Sequence, residues 1–244
     1  MCKKTVVITG ASRGIGRAIA EKYALAGYNL ALCCHNNIDK LEDFTKYLSD
    51  KYSVRCIAYQ CDIGNFHNAS AFFELIRDNF NTVDILINNA GISTVKLLQD
   101  MTPEEWNNIV NVNLGSVFNC CKLAIPMMLV PKSGKIINIS SVWGCTGAST
   151  EVAYSATKGA VNAFTMALAK ELAPSNIQVN AVACGIIDTD MNNFLNKDEL
   201  MAIRDEIPAG RLGTPDEVAE FVFNITNGNN YLTGQIIKFD GGWI

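Results

Sequence analysis

Short runs of aliphatic and β-branched residues alternate with longer amphipathic stretches along the whole chain. The runs at 5–9, 29–34, 54–61, 83–88, 134–140, 177–183 and 235–239 predict strands. Several lack polar alternation, the pattern of strands covered on both faces. Between them, 14–26, 38–51, 66–80, 103–128, 152–173 and 215–227 read as helices. Such alternation implies right-handed crossovers, and so an α/β fold with one doubly wound parallel sheet of seven strands and helices on both faces. No repeat, linker or low-complexity stretch divides residues 1–244, so a single domain is expected. One segment, 186–207, is long for a connection and follows a strand's C-terminal end. A connection of that kind reads as a lid, with the glycines around it serving as hinges or as ordinary turn residues.

Composition narrows the class. With 49% hydrophobic and 18% charged residues, the chain can bury a substantial core and has no character of a disordered tail. A net charge of -4 and the lack of a Lys/Arg run argue against nucleic acid as a partner. Nine cysteines stand at 2, 33, 34, 56, 61, 120, 121, 145 and 184, an odd number with no CxxC spacing. They read as buried small hydrophobes in a reducing, cytoplasmic compartment. His35 and His67 are the only histidines, which leaves few ligands for a zinc site, and no metal is expected. The N-terminal apolar run stops at Gly10, too early for a signal peptide. Pro126 and Pro131 are expected to break the most apolar helix candidate, so no membrane span is predicted.

The first strand runs into Thr9-Gly10-Ala11-Ser12-Arg13-Gly14-Ile15-Gly16, followed by a helix. Glycines let the backbone turn tightly and approach a pyrophosphate, and the helix N-terminus offers free N–H groups. The Gly-x3-Gly-x-Gly pattern is weak alone but gains weight at the first strand-to-helix junction. No carboxylate ends the second strand to hold a ribose diol; His35 and Asn36 stand there instead. Arg13 in the loop offers positive charge to a 2′-phosphate, which favours NADP(H) over NAD(H).

Tyr154 and Lys158 form an i, i+4 pair on one face of a predicted helix. A tyrosine pKa of about 10 is too high for proton exchange near neutrality, and a neighbouring ammonium lowers it. Ser141, at the end of the fifth strand, can place a hydroxyl beside the same reacting oxygen.

These motifs together resemble the short-chain dehydrogenase/reductase family, whose Rossmann-type domain accounts for the whole chain. The matches are the glycine loop, Asp62, Asn88-Asn89-Ala90-Gly91, Asn113, Ser141, Tyr154-x3-Lys158, Ile187-x-Thr189, and Thr233-Gly234-Gln235 with Asp240-Gly241-Gly242. The resemblance implies a reductase in which Ser141 holds a carbonyl oxygen and Tyr154 donates its proton. Lys158 and a water on Asn113 then reload the tyrosine. It further implies that Asp62 and Ile63 contact adenine, and that Asn89, Ala90 and Gly91 support the nucleotide. Ile187 and Thr189 hold the nicotinamide, Lys158 binds its ribose, and the protein assembles as a homotetramer.

Within the family the chain is most similar to bacterial 3-oxoacyl-acyl-carrier-protein reductases, notably in Gly210-Arg211-Leu212-Gly213-Thr214-Pro215. It departs from them in two places. Cys184-Gly185 replaces the usual Pro-Gly, and Ser175-Asn176 stands where an arginine docks the acidic carrier. Lys132 and Lys135 are the remaining candidates for that docking. The stretch from Ser141 through Trp143 to Glu151, with Gly242-Trp243, also resembles reductases of an aminopentanone group on elongation factor P. In that reading Glu151 meets a substrate amine and Trp143 walls the pocket. The simpler readings are that Glu151 complements a helix dipole and that Trp143 belongs to the core. A steroid or sugar alcohol dehydrogenase and a non-catalytic NADP-sensing module are further alternatives.

Overall fold

The computed structural model describes residues 3–192 and 195–244. Seven strands form one sheet in the order β3-β2-β1-β4-β5-β6-β7. They are β1 (Thr5–Thr9), β2 (Asn29–Cys34), β3 (Cys56–Gln60), β4 (Ile85–Asn88), β5 (Gly134–Ser141), β6 (Ile177–Cys184) and β7 (Ile236–Phe239). Every pairing is parallel. The chain winds outward from β1 to β3, then returns to start again at β4. That reversal opens a crevice beyond the C-terminal ends of β1 and β4, where open α/β sheets bind ligands.

The two faces of the sheet are covered by different helices. Val6, Ile8, Leu30 and Leu32 pack under α1 (Gly14–Leu25), α2 (Ile38–Tyr52) and α9 (Pro215–Thr226). Val7, Ala31 and Leu86 point the other way, under α3 (Phe66–Phe80), α5 (Ser116–Leu129) and α7 (Val152–Leu172). Adjacent strand residues feed opposite cores, so both must be apolar, and this is why the runs lack polar alternation. Six of the cysteines, Cys33, Cys34, Cys61, Cys120, Cys121 and Cys184, are buried as free thiols; Cys2 lies outside the described residues.

Helix ends follow local chemistry. Thr214 caps α9 in a reciprocal box with Glu217, which also receives Arg211 at 2.6 Å. The Arg211 guanidinium and the capped backbone hold the Glu217 carboxyl down at about 2. Thr214→Ala is expected to cost about 1 kcal/mol. Thermal unfolding checks it as a fall in Tm of about 2–4 °C.

The predicted helix over 103–128 runs from Pro103 to Leu129, with α4 (Pro103–Val110) and α5 joined through a π-helical turn, Asn111–Gly115. Two expectations are corrected. Pro126 sits inside α5 and does not break it. It lies within the last turn, where a missing N–H forgoes one hydrogen bond close to an end that frays anyway. The resulting helical run of 27 residues is long and apolar enough to cross a membrane, yet half of its most apolar window is buried inside this fold. The segment 186–207 also carries a helix the periodicity did not predict, α8 (Lys197–Glu206), capped by Asn196 and Glu199.

Candidate active site

Two adjoining cavities open along the C-terminal edge of the sheet. One, of about 350 Å³, is lined by the loop after β1, the end of β2 and the start of the β4–α4 connection. The other, about 330 Å³, lies over the ends of β5 and β6 and holds Ser141, Tyr154 and Lys158. Asn89, Gly91, Ile15, Thr189 and Met191 line both.

The first cavity is a cradle that side chains would fill. Gly10 and Gly14 adopt φ of +66° and +54°, a region costly for any residue with a Cβ. A Cβ on Gly16 would lie 2.5 Å from both Asn89 Nδ2 and the Gly10 carbonyl oxygen. Asn89 in turn donates from Nδ2 to the carbonyls of Thr9 (2.9 Å) and Gly10 (3.1 Å). Thr9 Oγ1 accepts from the Asn89 and Ala90 amides at 3.0 and 2.9 Å. The loop after β4 is thereby bolted to the phosphate loop, with Ser12, Arg13, Gly14 and Ile15 facing the space. The N-terminus of α1 opens on it, with Arg13 as its N-cap. At the far end lie His35, Asn36, Asp62 and Ile63. Asp62 Oδ1 accepts the Gly64 amide at 3.0 Å, which fixes the turn after β3. These residues fit a dinucleotide.

In the second cavity, Ser141 ends β5 and Tyr154 and Lys158 stand one turn apart in α7. Ser141 and Tyr154 line the same cavity, and Ser141 Oγ accepts the Trp143 amide at 3.2 Å. Burial holds Tyr154 above its usual value; the neighbouring Ser141 hydroxyl opposes this, and Glu151 and Cys184 add to it. Lys158 lies over the Tyr154 ring, 5.6 Å from its centroid, and donates to the Ile139 carbonyl at 2.8 Å. Burial pulls its ammonium down to about 8, with Cys184 opposing. The pair thus meets as the i, i+4 spacing implies, but the ammonium stands over the ring, and burial sets the direction of the phenol's shift.

Asn113 sits in the π-helical turn and is buried. Its Oδ1 accepts the Ile92 amide at 2.8 Å, and its Nδ2 donates to the Ile92 carbonyl (2.9 Å) and Thr157 Oγ1 (3.1 Å). The side chain therefore ties the loop after β4 to α7. Its Oδ1 and Lys158 Nζ both flank Gly91, within 3.5 Å of where a Cβ would stand.

Glu151 is the N-cap residue of α7, makes no capping bond, and receives Ser93 Oγ at 2.5 Å on the cavity wall. Trp143, in the short helix α6 (Trp143–Thr146), packs edge-to-face on Trp243 at 4.9 Å. Trp243 Nε1 donates to Glu206 Oε2 of α8 at 3.3 Å. Trp143 is thus cavity wall rather than core.

The segment after β6 closes the site. Ile187 bridges to Gly213, and Thr189 stands 3.4 Å from the Cβ position of Gly14. Sequence reasoning missed Ser93, Thr157, Asp190 and Asn192, whose Nδ2 donates to the Ile187 carbonyl at 2.6 Å. Nothing local marks these residues; they are found only by what the fold brings beside them. Lys135 is the second residue of β5, at the opposite end of that strand from Ser141, and its ammonium binds the Asn229 carbonyl. Lys132 lies in the turn just before the same end. Both adjoin Ser175-Asn176: the Asn176 Nδ2 donates to the Lys132 carbonyl at 3.2 Å, and Lys135 pairs with Gln178.

Comparison with known proteins agrees with this geometry. A family model described as short chain dehydrogenase matches residues 4–200. The chain is 37% identical over 243 residues to the 3-oxoacyl-[acyl-carrier-protein] reductase FabG of Chlamydia trachomatis, covering 99% of this chain and 98% of that protein. It is 40% identical over 241 residues to the uncharacterized oxidoreductase YmfI of Bacillus subtilis, covering 98% of each. A crystal structure of 3-oxoacyl-[acyl-carrier protein] reductase from Brucella melitensis superimposes with a TM-score of 0.92 at 33% identity, covering 100% of this chain and 92% of that one. The chain belongs to the short chain dehydrogenase family and is an oxidoreductase acting on ketone and alcohol groups.

Proposed function

We propose that this chain is an NADPH-dependent reductase of a 3-oxoacyl group carried as a thioester on acyl carrier protein. The observation that carries the reading is that Ser141, Tyr154 and Lys158 converge on one cavity, which shares its wall with the glycine cradle. The full-length likeness to relatives named 3-oxoacyl-[acyl-carrier-protein] reductase supplies the substrate.

The nicotinamide, when bound, supplies the hydride. Gly10, Ser12, Gly14, Ile15 and Gly16 hold the pyrophosphate by backbone N–H groups and the dipole of α1. Arg13, with His35 and Asn36, receives the 2′-phosphate; Asp62 and Ile63 bound the adenine. Asn89, Ala90 and Gly91 brace the cradle, and Ile187 and Thr189 hold the nicotinamide amide. Ser141 orients the carbonyl oxygen, and Tyr154 gives it a proton. Lys158 and a water at Asn113 return that proton from solvent. Fixed donors aimed at the developing oxyanion stabilise it without reorganisation.

The same reading takes residues 1–244 as one cytoplasmic domain with 186–207 as its lid. Outward apolar residues on α4, α5 and α7, such as Trp106, Phe118 and Met166, support assembly of a homotetramer through these helices.

A second substrate reading rests on Glu151, Trp143 and Trp243. A carboxylate and two indoles at one cavity suit an alkylammonium by charge and cation–π attraction. That is the chemistry of an aminopentanone on elongation factor P. Comparing kcat/KM for an acetoacetyl thioester and a short amino ketone separates the two. A thioester preference that Glu151→Gln leaves intact supports the carrier-protein role. An amino-ketone preference that Glu151→Gln abolishes replaces it.

The pH dependence follows from Lys158. Its folded pKa of about 8 lies below its ordinary 10.5, so the unfolded chain binds more protons between those values. Through this group, stability rises with pH from about 8 to 10.5. Tyr154, raised above its ordinary 10.0, has its own contribution intact below that pH and loses it above. Reduction falls as pH passes about 8, because the ammonium that reloads Tyr154 loses its proton. A kcat/KM profile from pH 6 to 10 reads this limb directly.

A further inference from the structure

Arg13 is the sole Lys or Arg among the described residues lining the cofactor cradle, and it is already engaged. Its Nη1 lies 3.4 Å from Asp190 Oδ2, a contact spanning 177 residues from the phosphate loop to the start of the lid. Arg17, one turn into α1, stacks its guanidinium 3.8 Å over the Phe44 ring. Asp190 faces the same cavity as Arg13, His35 and Asn36. A carboxylate there repels a phosphorylated ligand and draws off the one cation that would bind it.

We propose that Asp190 and the cofactor's 2′-phosphate compete for Arg13, so that this lid carboxylate sets how strongly the protein prefers a 2′-phosphorylated nucleotide. The inference rests on the NADP(H) reading above. Both partners are solvent-exposed, with 65% and 59% of their side-chain surface accessible, so breaking the pair is cheap and Arg13 is free to move between partners.

The test is binding alone, by calorimetry, of 2′-phospho-ADP-ribose and ADP-ribose to wild type, Asp190→Asn, Arg13→Gln and the double variant. Asp190→Asn is expected to raise the affinity ratio of phosphorylated over unphosphorylated ligand about threefold, the scale of an exposed ion pair. In the Arg13→Gln background the same substitution leaves the ratio unchanged. Equal tightening of both ligands by Asp190→Asn, or no change in the ratio, overturns the competition while leaving the cofactor reading intact. A wild type with no preference, unaffected by Arg13→Gln, shows instead that the cofactor reading has failed, and the competition falls with it.

Discussion

Tyr154→Phe is expected to lower kcat for ketone reduction by about 10²–10⁴-fold, the range spanned by a positioned general acid. Binding of NADPH is expected to stay within about twofold, because the ring remains and Lys158 keeps its bond to the Ile139 carbonyl. The contrast matters because the half-buried Tyr154 lines the cavity beside Ser141. Removing the hydroxyl takes a polar group off that wall and leaves the ring in place, so stability changes little. Steady-state kinetics beside a binding titration check the split. A variant that loses binding and turnover in parallel would mean that Tyr154 shapes the cavity rather than moving a proton.

Gly16→Ala is the second large effect. The new Cβ meets Asn89 Nδ2 and the Gly10 carbonyl at 2.5 Å, closer than carbon approaches either atom. The Gly10 oxygen is backbone, and Asn89 is held by two hydrogen bonds to the same loop, so neither yields without opening the cradle. Overpacking of this kind costs about 1–3 kcal/mol. Spent against the bound geometry, that is about a 5- to 150-fold loss of NADPH affinity. Gly27 serves as the control. No atom lies within 4 Å of its Cβ position, so Gly27→Ala bears only the strain of its φ of +84° and is expected to leave affinity alone. Calorimetric titration of both variants checks the difference.

The fold was legible because its physical determinants are local. A strand buried on both faces is mostly apolar, and β1, β2 and β4 carry unbroken apolar runs at 6–8, 30–34 and 85–87. The residues of the glycine loop and the Tyr154–Lys158 pair were legible for the same reason, since spacing alone sets a turn or a helix face. What escaped depends on contacts across the chain. The side-chain bonds of Asn113 to Ile92 and Thr157 could not be read ahead, because neither partner is near it in sequence. The π-helical turn that presents it leaves no mark on hydrophobic periodicity. Pro126 misled in the opposite direction, because its cost depends on how close the helix end falls, and that end is set by packing. That Lys132 and Lys135 stand beside Ser175-Asn176 is likewise set by strand pairing, since β5 and β6 lie side by side only in the folded sheet. Trp243 joins Trp143 from the other end of the chain, one hundred residues away, and only the fold reveals that they share a wall.

The most direct test of the central claim is transfer of deuterium from C4-labelled NADPH to an acetoacetyl thioester, followed by mass spectrometry. The account predicts a 3-hydroxyacyl product with one deuterium on the carbinol carbon, formed one for one with cofactor oxidised, and lost with Tyr154→Phe. Tight binding of NADPH without transfer to this thioester or to an amino ketone would contradict it, and would leave a nucleotide-binding domain whose catalytic residues turn over neither proposed substrate.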